Sequence, residues 1–159
     1  MFGEGLGEEL FLKHLRGLYS HDSGVAVTIR NGKGGTATDI VSNANREPGD
    51  FDRRIVILDN DKDKQEMQRA RTEAGQKGIE LIENSPCLEA VLLAILRDGT
   101  SFANKASAWC KDEFESHYLD KRKRTEIMEY EKTFPKSLLD QRRKNVSELN
   151  QLISLMEGK

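Results

Sequence analysis

Cysteine is scarce: Cys87 and Cys110 are the only two in 159 residues. They follow no metal-ligand spacing and are too few for a disulfide framework, so a reduced, intracellular setting is expected. Long apolar runs are missing as well. No stretch reaches membrane-spanning length, and the amino terminus lacks the basic-then-apolar pattern of a signal segment. A soluble, cytoplasmic protein without a membrane partner is the expectation. A charge excess of one sign is also absent. Lys and Arg number 25 against 27 Asp and Glu, for a net charge of -2. Such a balance excludes a globally basic nucleic-acid binder and confines any such contact to a local patch. There is no internal repeat and no low-complexity segment. The length fits one domain, or one domain with an appendage.

What is present centres on Arg54-Ile55-Val56-Ile57-Leu58-Asp59-Asn60-Asp61-Lys62-Asp63. Four β-branched or leucine residues bounded by charge fit a strand buried on both faces, in the middle of a parallel sheet. Side chains two apart in an extended chain point the same way, so Asp59 and Asp61 are expected on one side, with Asp63 curling round to join them. Unpaired carboxylates repel each other. Hard divalent ions such as Mg²⁺ or Mn²⁺ relieve that repulsion, because they prefer oxygen ligands and keep water positions open for a phosphate. The plainer reading is a solvated acidic turn after a strand.

Around this stretch the pattern alternates. Met1-Phe2-Gly3 reads as a very short strand, with Gly5 and Gly7 expected to turn the backbone tightly into a helix ending near Tyr19. Glu4, Glu8 and Glu9 sit where acids suit the positive end of a helix dipole. Val25–Ile29 is expected as a second strand. The Gly-rich loop holding Lys33 then leads to a helix over 37–45, either as an anion-binding turn or as a plain connection. A helix over Lys64–Gln76, a strand over Ile79–Ile82 and a strongly apolar helix follow, the last with Ser85 as cap and Pro86 at its first position. The expected fold is α/β, with a parallel four-stranded sheet flanked by helices over residues 1–98. Residues 99–159 read as a helical extension packed on it, with helices over 103–118 and 121–132 and a final one after Pro135. Lys121-Arg122-Lys123-Arg124 and Arg142-Arg143-Lys144 are its basic clusters, either solvated helix faces or nucleic-acid contacts. Trp109, Phe114, Tyr118 and Phe134 read as packing residues.

Three motifs in this order resemble a Toprim domain, the metal-binding Rossmann-like fold of topoisomerases, primases and OLD-type nucleases. They are Glu4-Gly5 before an amphipathic helix, a Gly-rich turn after the second strand, and Asp59-x-Asp61 after the third. The RloB-like branch is closer still: its Glu-Gly-x-x-Glu start and its late Ser/Asn-Pro-Cys-aromatic-Glu helix look like Glu4-Gly5-Leu6-Gly7-Glu8 and Asn84-Ser85-Pro86-Cys87-Leu88-Glu89. The resemblance implies that Glu4 serves as general acid/base or metal ligand and that Asp59 and Asp61 bind Mg²⁺ or Mn²⁺. Glu8 and Asp63 would then complete a second metal position. Glu89 matches without an assigned role, Leu88 replaces an aromatic, and the first strand is short.

The chemistry so implied is phosphodiester hydrolysis of DNA or RNA, in a mobile-element or phage-defence setting, with Lys33, Lys121, Arg122, Lys123 and Arg124 as nucleic-acid contacts. One competing reading is a non-catalytic Toprim-like module that holds metal or nucleic acid or docks on a partner. Another is phosphoryl transfer of the haloacid-dehalogenase kind, with Asp59 as nucleophile, though no later Asp pair and Lys complete such a site. A short edge strand and a polar helical tail also suit a homodimer or a separate protein partner.

Overall fold

The computed structural model describes all residues 1–159. Four strands form one parallel sheet: β1 (Phe2–Gly3), β2 (Arg30–Asn31), β3 (Arg54–Asp59) and β4 (Ile79–Asn84). Their spatial order is β2-β1-β3-β4. The first crossover therefore leaves β1 in one direction, and the chain then returns past β1 to lay down β3 and β4. That reversal puts a topological switch point between β1 and β3, where open α/β sheets leave a crevice at the carboxyl ends of the strands.

The apolar run of β3 divides as a two-residue period requires. Val56 and Leu58 pack with α2 (Ala37–Arg46) and α3 (Lys64–Lys77) on one face of the sheet. Ile55 and Ile57 pack on the other with α1 (Leu6–Tyr19) and α4 (Leu88–Leu96). The second core does not stop at residue 98. It continues through Cys110, Phe114, Tyr130, Phe134, Leu149, Leu152 and Ile153. These side chains belong to α5 (Ser107–His117), α6 (Ile127–Thr133), α8 (Ser147–Met156) and the turn before α7 (Lys136–Arg142). Residues 99–159 thus share one core with the sheet, and eight helices flank it in all.

Several boundaries differ from expectation for physical reasons. The second strand falls at Arg30–Asn31 rather than Val25–Ile29, because its only neighbour, β1, offers just Phe2 and Gly3 to pair with. The contact extends only a little: the Met1 nitrogen donates to the Thr28 carbonyl at 2.7 Å. Helix α4 begins at Leu88, two residues after Pro86, with Cys87 in extended backbone before it. Its Leu88 N–H is held by a carboxylate from β3, at 2.8 Å from Asp59 Oδ1. The helix over 121–132 shortens to a 3₁₀ turn, Lys123–Thr125, followed by α6. The final helix splits into α7 and α8 at Arg143-Lys144-Asn145. Arg142 Nε donates to the Ile95 carbonyl at 3.1 Å and Arg143 pairs with Glu157 at 2.8 Å, so this basic cluster fixes a bend that turns α8 back onto the core.

No helix is long and apolar enough to cross a membrane.

Candidate functional site

Three strand ends converge at the switch point. Glu4 follows β1, Asp59 ends β3 and Asn84 ends β4, in register with Asp59. Glu4 Oε2 accepts the Asp59 N–H at 3.1 Å, and Glu4 Oε1 accepts from Lys62 Nζ at 2.5 Å. Asp59 is only 7% exposed. Its Oδ1 accepts from the Leu88 N–H at 2.8 Å and from Asn84 Nδ2 at 3.3 Å, which leaves Oδ2 without a hydrogen-bond partner.

Glu8 enters from the first turn of α1 and takes the Gly5 N–H on Oε2 at 3.0 Å. The glycine that permits this is Gly3, not Gly5 or Gly7. A Cβ on Gly3 would lie 2.5 Å from the Glu8 Cβ, so only a bare Cα lets the helix start sit against the end of β1. Gly5 has extended backbone that any residue adopts.

Glu89, in the first turn of α4, is buried. Its carboxylate pairs with the guanidinium of Arg124, which also reaches Glu115 at 2.7 Å and lies over the Phe114 ring. Glu4, Glu8 and Glu89 thus surround Asp59 as a loose acidic cluster, near enough for their charges to act on it. Burial, then the nearby Glu8 charge, pushes the Asp59 carboxyl up to about 8; Glu89 and Glu4 add to this and the Asn84 hydrogen bond opposes it. Burial also raises Glu8, helped by Glu89 and Glu4 against hydrogen bonds from backbone N–H groups.

The other candidate residues lie apart from this cluster. Asp61 turns to α5, where Oδ2 accepts from Ser107 Oγ at 2.6 Å and Lys111 Nζ stands 3.7 Å away. β3 ends at Asp59, so the alternation expected to align Asp61 with it does not extend that far. Asp63 is the N-cap of α3, accepting the N–H groups of Gln65 at 2.9 Å and Glu66 at 3.3 Å. Lys33 sits in an exposed loop with φ 66°. Lys121, Arg122 and Lys123 are exposed, with the Asp120 carboxylate accepting the N–H groups of Arg122 and Lys123. Arg124 departs from the basic run: its guanidinium is committed to Glu89 and Glu115 and is not open to a phosphate backbone.

No three His, Cys, Asp or Glu side chains converge as a ready metal-holding group. The donor set nevertheless suits a hard cation. Its donors are oxygens, the fully buried Asn84 Oδ1 has no hydrogen-bond partner, and an ammonium already stands on Glu4. Lys62, Asn84, Ser107 and Lys111 were missed as site residues, and Arg124 was assigned to nucleic acid rather than to Glu89 and Glu115. Only Asn84 carried a signal, since parallel pairing of two adjacent apolar strands brings their terminal Asp59 and Asn84 side by side.

No family model, no curated protein and no solved structure matches this chain.

Proposed function

We propose that this protein is a divalent-cation-dependent phosphodiesterase acting on nucleic acid. The observation that carries the reading is the buried Asp59 carboxylate at the carboxyl end of a central strand, with Glu4 on its own N–H and Glu8 near enough to repel it, at the switch point of the sheet. Buried like charges at that place are relieved either by protons or by a cation. The motif resemblance to Toprim nucleases supports the same reading.

Glu4, Glu8 and Asp59 would hold Mg²⁺ or Mn²⁺, with Asn84 Oδ1 as a neutral fourth donor. The bound ion supplies charge neutralisation at the phosphate and a lower pKa for an attacking water. The rest falls to the protein's own side chains. Lys62, once displaced from Glu4 Oε1, is an ammonium placed to face a phosphate oxygen. Asp61, held by Ser107 and Lys111, stays on the α5 side, apart from Glu4, Glu8 and Asp59.

The test is degradation of plasmid, single-stranded DNA and RNA with Mg²⁺ or Mn²⁺, comparing wild type with Asp59→Ala. Cleavage that needs both the ion and Asp59 supports the reading, and equal inactivity of the two proteins on all three polymers rejects it. The Lys62–Glu4 ion pair favours a second reading, a non-catalytic module that binds metal or nucleic acid or docks on a partner. Metal binding without cleavage is the result that selects it.

A further inference from the structure

Trp109 departs from the packing role its neighbours take. Phe114 and Phe134 are fully buried, whereas Trp109 is 38% exposed. It is also the chain's only tryptophan. The other large exposed apolar residues are Leu6, Val25 and Met128, none of them with an aromatic partner.

Trp109 is backed by a built column. Phe102 stacks on it with ring centroids 5.9 Å apart and planes 27° from parallel. Arg97 lies 5.8 Å from the Phe102 ring and is itself held by Tyr118 Oη at 3.0 Å and Glu113 at 2.7 Å. Lys105 Nζ lies over the Trp109 ring, 5.2 Å from its centroid, and no carboxylate pairs with it. Glu113 neutralises Arg97, so Lys105 is the cation that remains for a phosphate here.

The column stands on the helix that borders the acidic cluster. Ser107 and Lys111, one turn apart on α5, face Asp61. Trp109 lies between them in sequence, about 200° round the helix from each. Asp61 and Trp109 therefore stand on opposite sides of α5, about one helix width, roughly 10 Å, apart.

We propose that Trp109, propped by Phe102 and covered by the mobile-stemmed Lys105, is a stacking platform for an unpaired nucleobase, so that the substrate is single-stranded nucleic acid. The inference rests on the phosphodiesterase reading for its choice of ligand. A base inside a duplex has both faces covered by its neighbours. An unpaired base offers a free face to the indole, while Lys105 moves from the ring to the adjoining phosphate.

The unique tryptophan makes the test direct. Its fluorescence is titrated, in EDTA and at low salt, with a short oligothymidylate, with oligouridylate and with a hairpin duplex. Quenching by single strands and not by the duplex is expected, and the stronger of the two single-strand responses separates DNA from RNA. Anisotropy of a labelled oligothymidylate then compares variants. Trp109→Ala should weaken binding by roughly 5- to 100-fold, and Trp109→Phe should restore most of it. Unchanged fluorescence, equal quenching by the duplex, or unaltered affinity of Trp109→Ala overturns the platform. EDTA removes any cleavage, so the two readings fail separately. Quenching without ion-dependent cleavage keeps the platform and rejects the phosphodiesterase. Cleavage with unchanged fluorescence does the reverse.

Discussion

The acidic stretch 59–63, interrupted by Asn60 and Lys62, and the basic run 121–124 are divided in the same manner. Each sends one end residue inward. Asp59 is buried among other carboxylates, and Arg124 crosses to Glu89 and Glu115. The other acids and bases stay at the surface or cap local backbone: Asp63 caps α3, and Lys121, Arg122 and Lys123 are exposed. The difference lies in what meets the buried end. Arg124 finds two carboxylates, whereas Asp59 finds Glu8, Glu89 and Glu4, and only neutral donors from Leu88 and Asn84. One buried charge is compensated and the other is not, and the uncompensated one marks the site.

The largest effect expected from breaking this contrast is at Asp59. Asp59→Asn should lower ion-dependent cleavage by at least roughly a hundredfold, measured as initial rates on the best substrate at saturating Mn²⁺. The same variant separates charge from shape in the ion-free protein. The native Asp59 carboxyl is raised to about 8 from 3.8, so between these values the folded state keeps a proton that the unfolded chain has released. Wild-type stability should therefore decline as pH rises through that window in EDTA and level off above it. Asp59→Asn should flatten the Asp59 part of this decline, so that thermal melts at about pH 8 place the variant above wild type. A variant that tracks wild type across the window would show that Asp59 is not the uncompensated charge.

At Arg124 the contrast runs the other way. Arg124→Ala leaves Glu89 buried and unpaired beside Glu8 and Asp59, which should cost about 3–5 kcal/mol in denaturant unfolding. Arg122→Ala, two residues earlier and exposed, should stay within ~0.5 kcal/mol. Replacing both partners, Arg124→Met with Glu89→Leu, should recover most of the loss, because a buried pair contributes less than the penalty for orphaning one member. Failure of the double variant to recover would assign Arg124 to the Glu115 contact instead.

These positions also show how much was legible in the sequence. The parallel sheet and its central strand could be read because the Ile55–Leu58 run is apolar on both faces, and burial on both faces is what a middle strand needs. Only the motif resemblance brought Glu4 and Asp59 together in the sequence; in the structure the β1–β3 pairing sets the Glu4 carboxylate on the Asp59 N–H. What could not be read depended on contacts distant in the chain. Asp61 and Asp63 continue the acidic run, yet α5 claims one and the start of α3 claims the other. Nothing local in Lys121-Arg122-Lys123-Arg124 distinguishes its last residue, whose partners lie on α4 and α5. Trp109 looked like Phe114 in composition. Its exposure became visible only once Cys110 and Phe114 were seen to take the inward face of α5.

A smaller effect sharpens the contrast within the acidic run itself. Asp63→Ala removes the N-cap of α3 and should cost about 1 kcal/mol in unfolding, with no change in Mn²⁺ affinity by calorimetry. A lower Mn²⁺ affinity in that variant would return Asp63 to the metal-binding set.

The smallest effect expected tests whether the cluster already holds a cation of its own. Lys62 Nζ is 2.5 Å from Glu4 Oε1, and both side chains are partly shielded. A divalent ion on Glu4 must displace that ammonium, so the ion pair subtracts from metal affinity whatever it contributes to the free protein. Lys62→Met keeps the aliphatic stem and removes the competitor. Mn²⁺ binding should then tighten by roughly two- to fivefold, the equivalent of an ion pair worth up to ~1 kcal/mol. Cleavage should nonetheless fall, because the displaced ammonium is the one placed to meet the phosphate. Affinity and rate moving in opposite directions would mark Lys62 as both occupant and participant. A loss of both would mean that Lys62 holds Glu4 in place rather than competing for it.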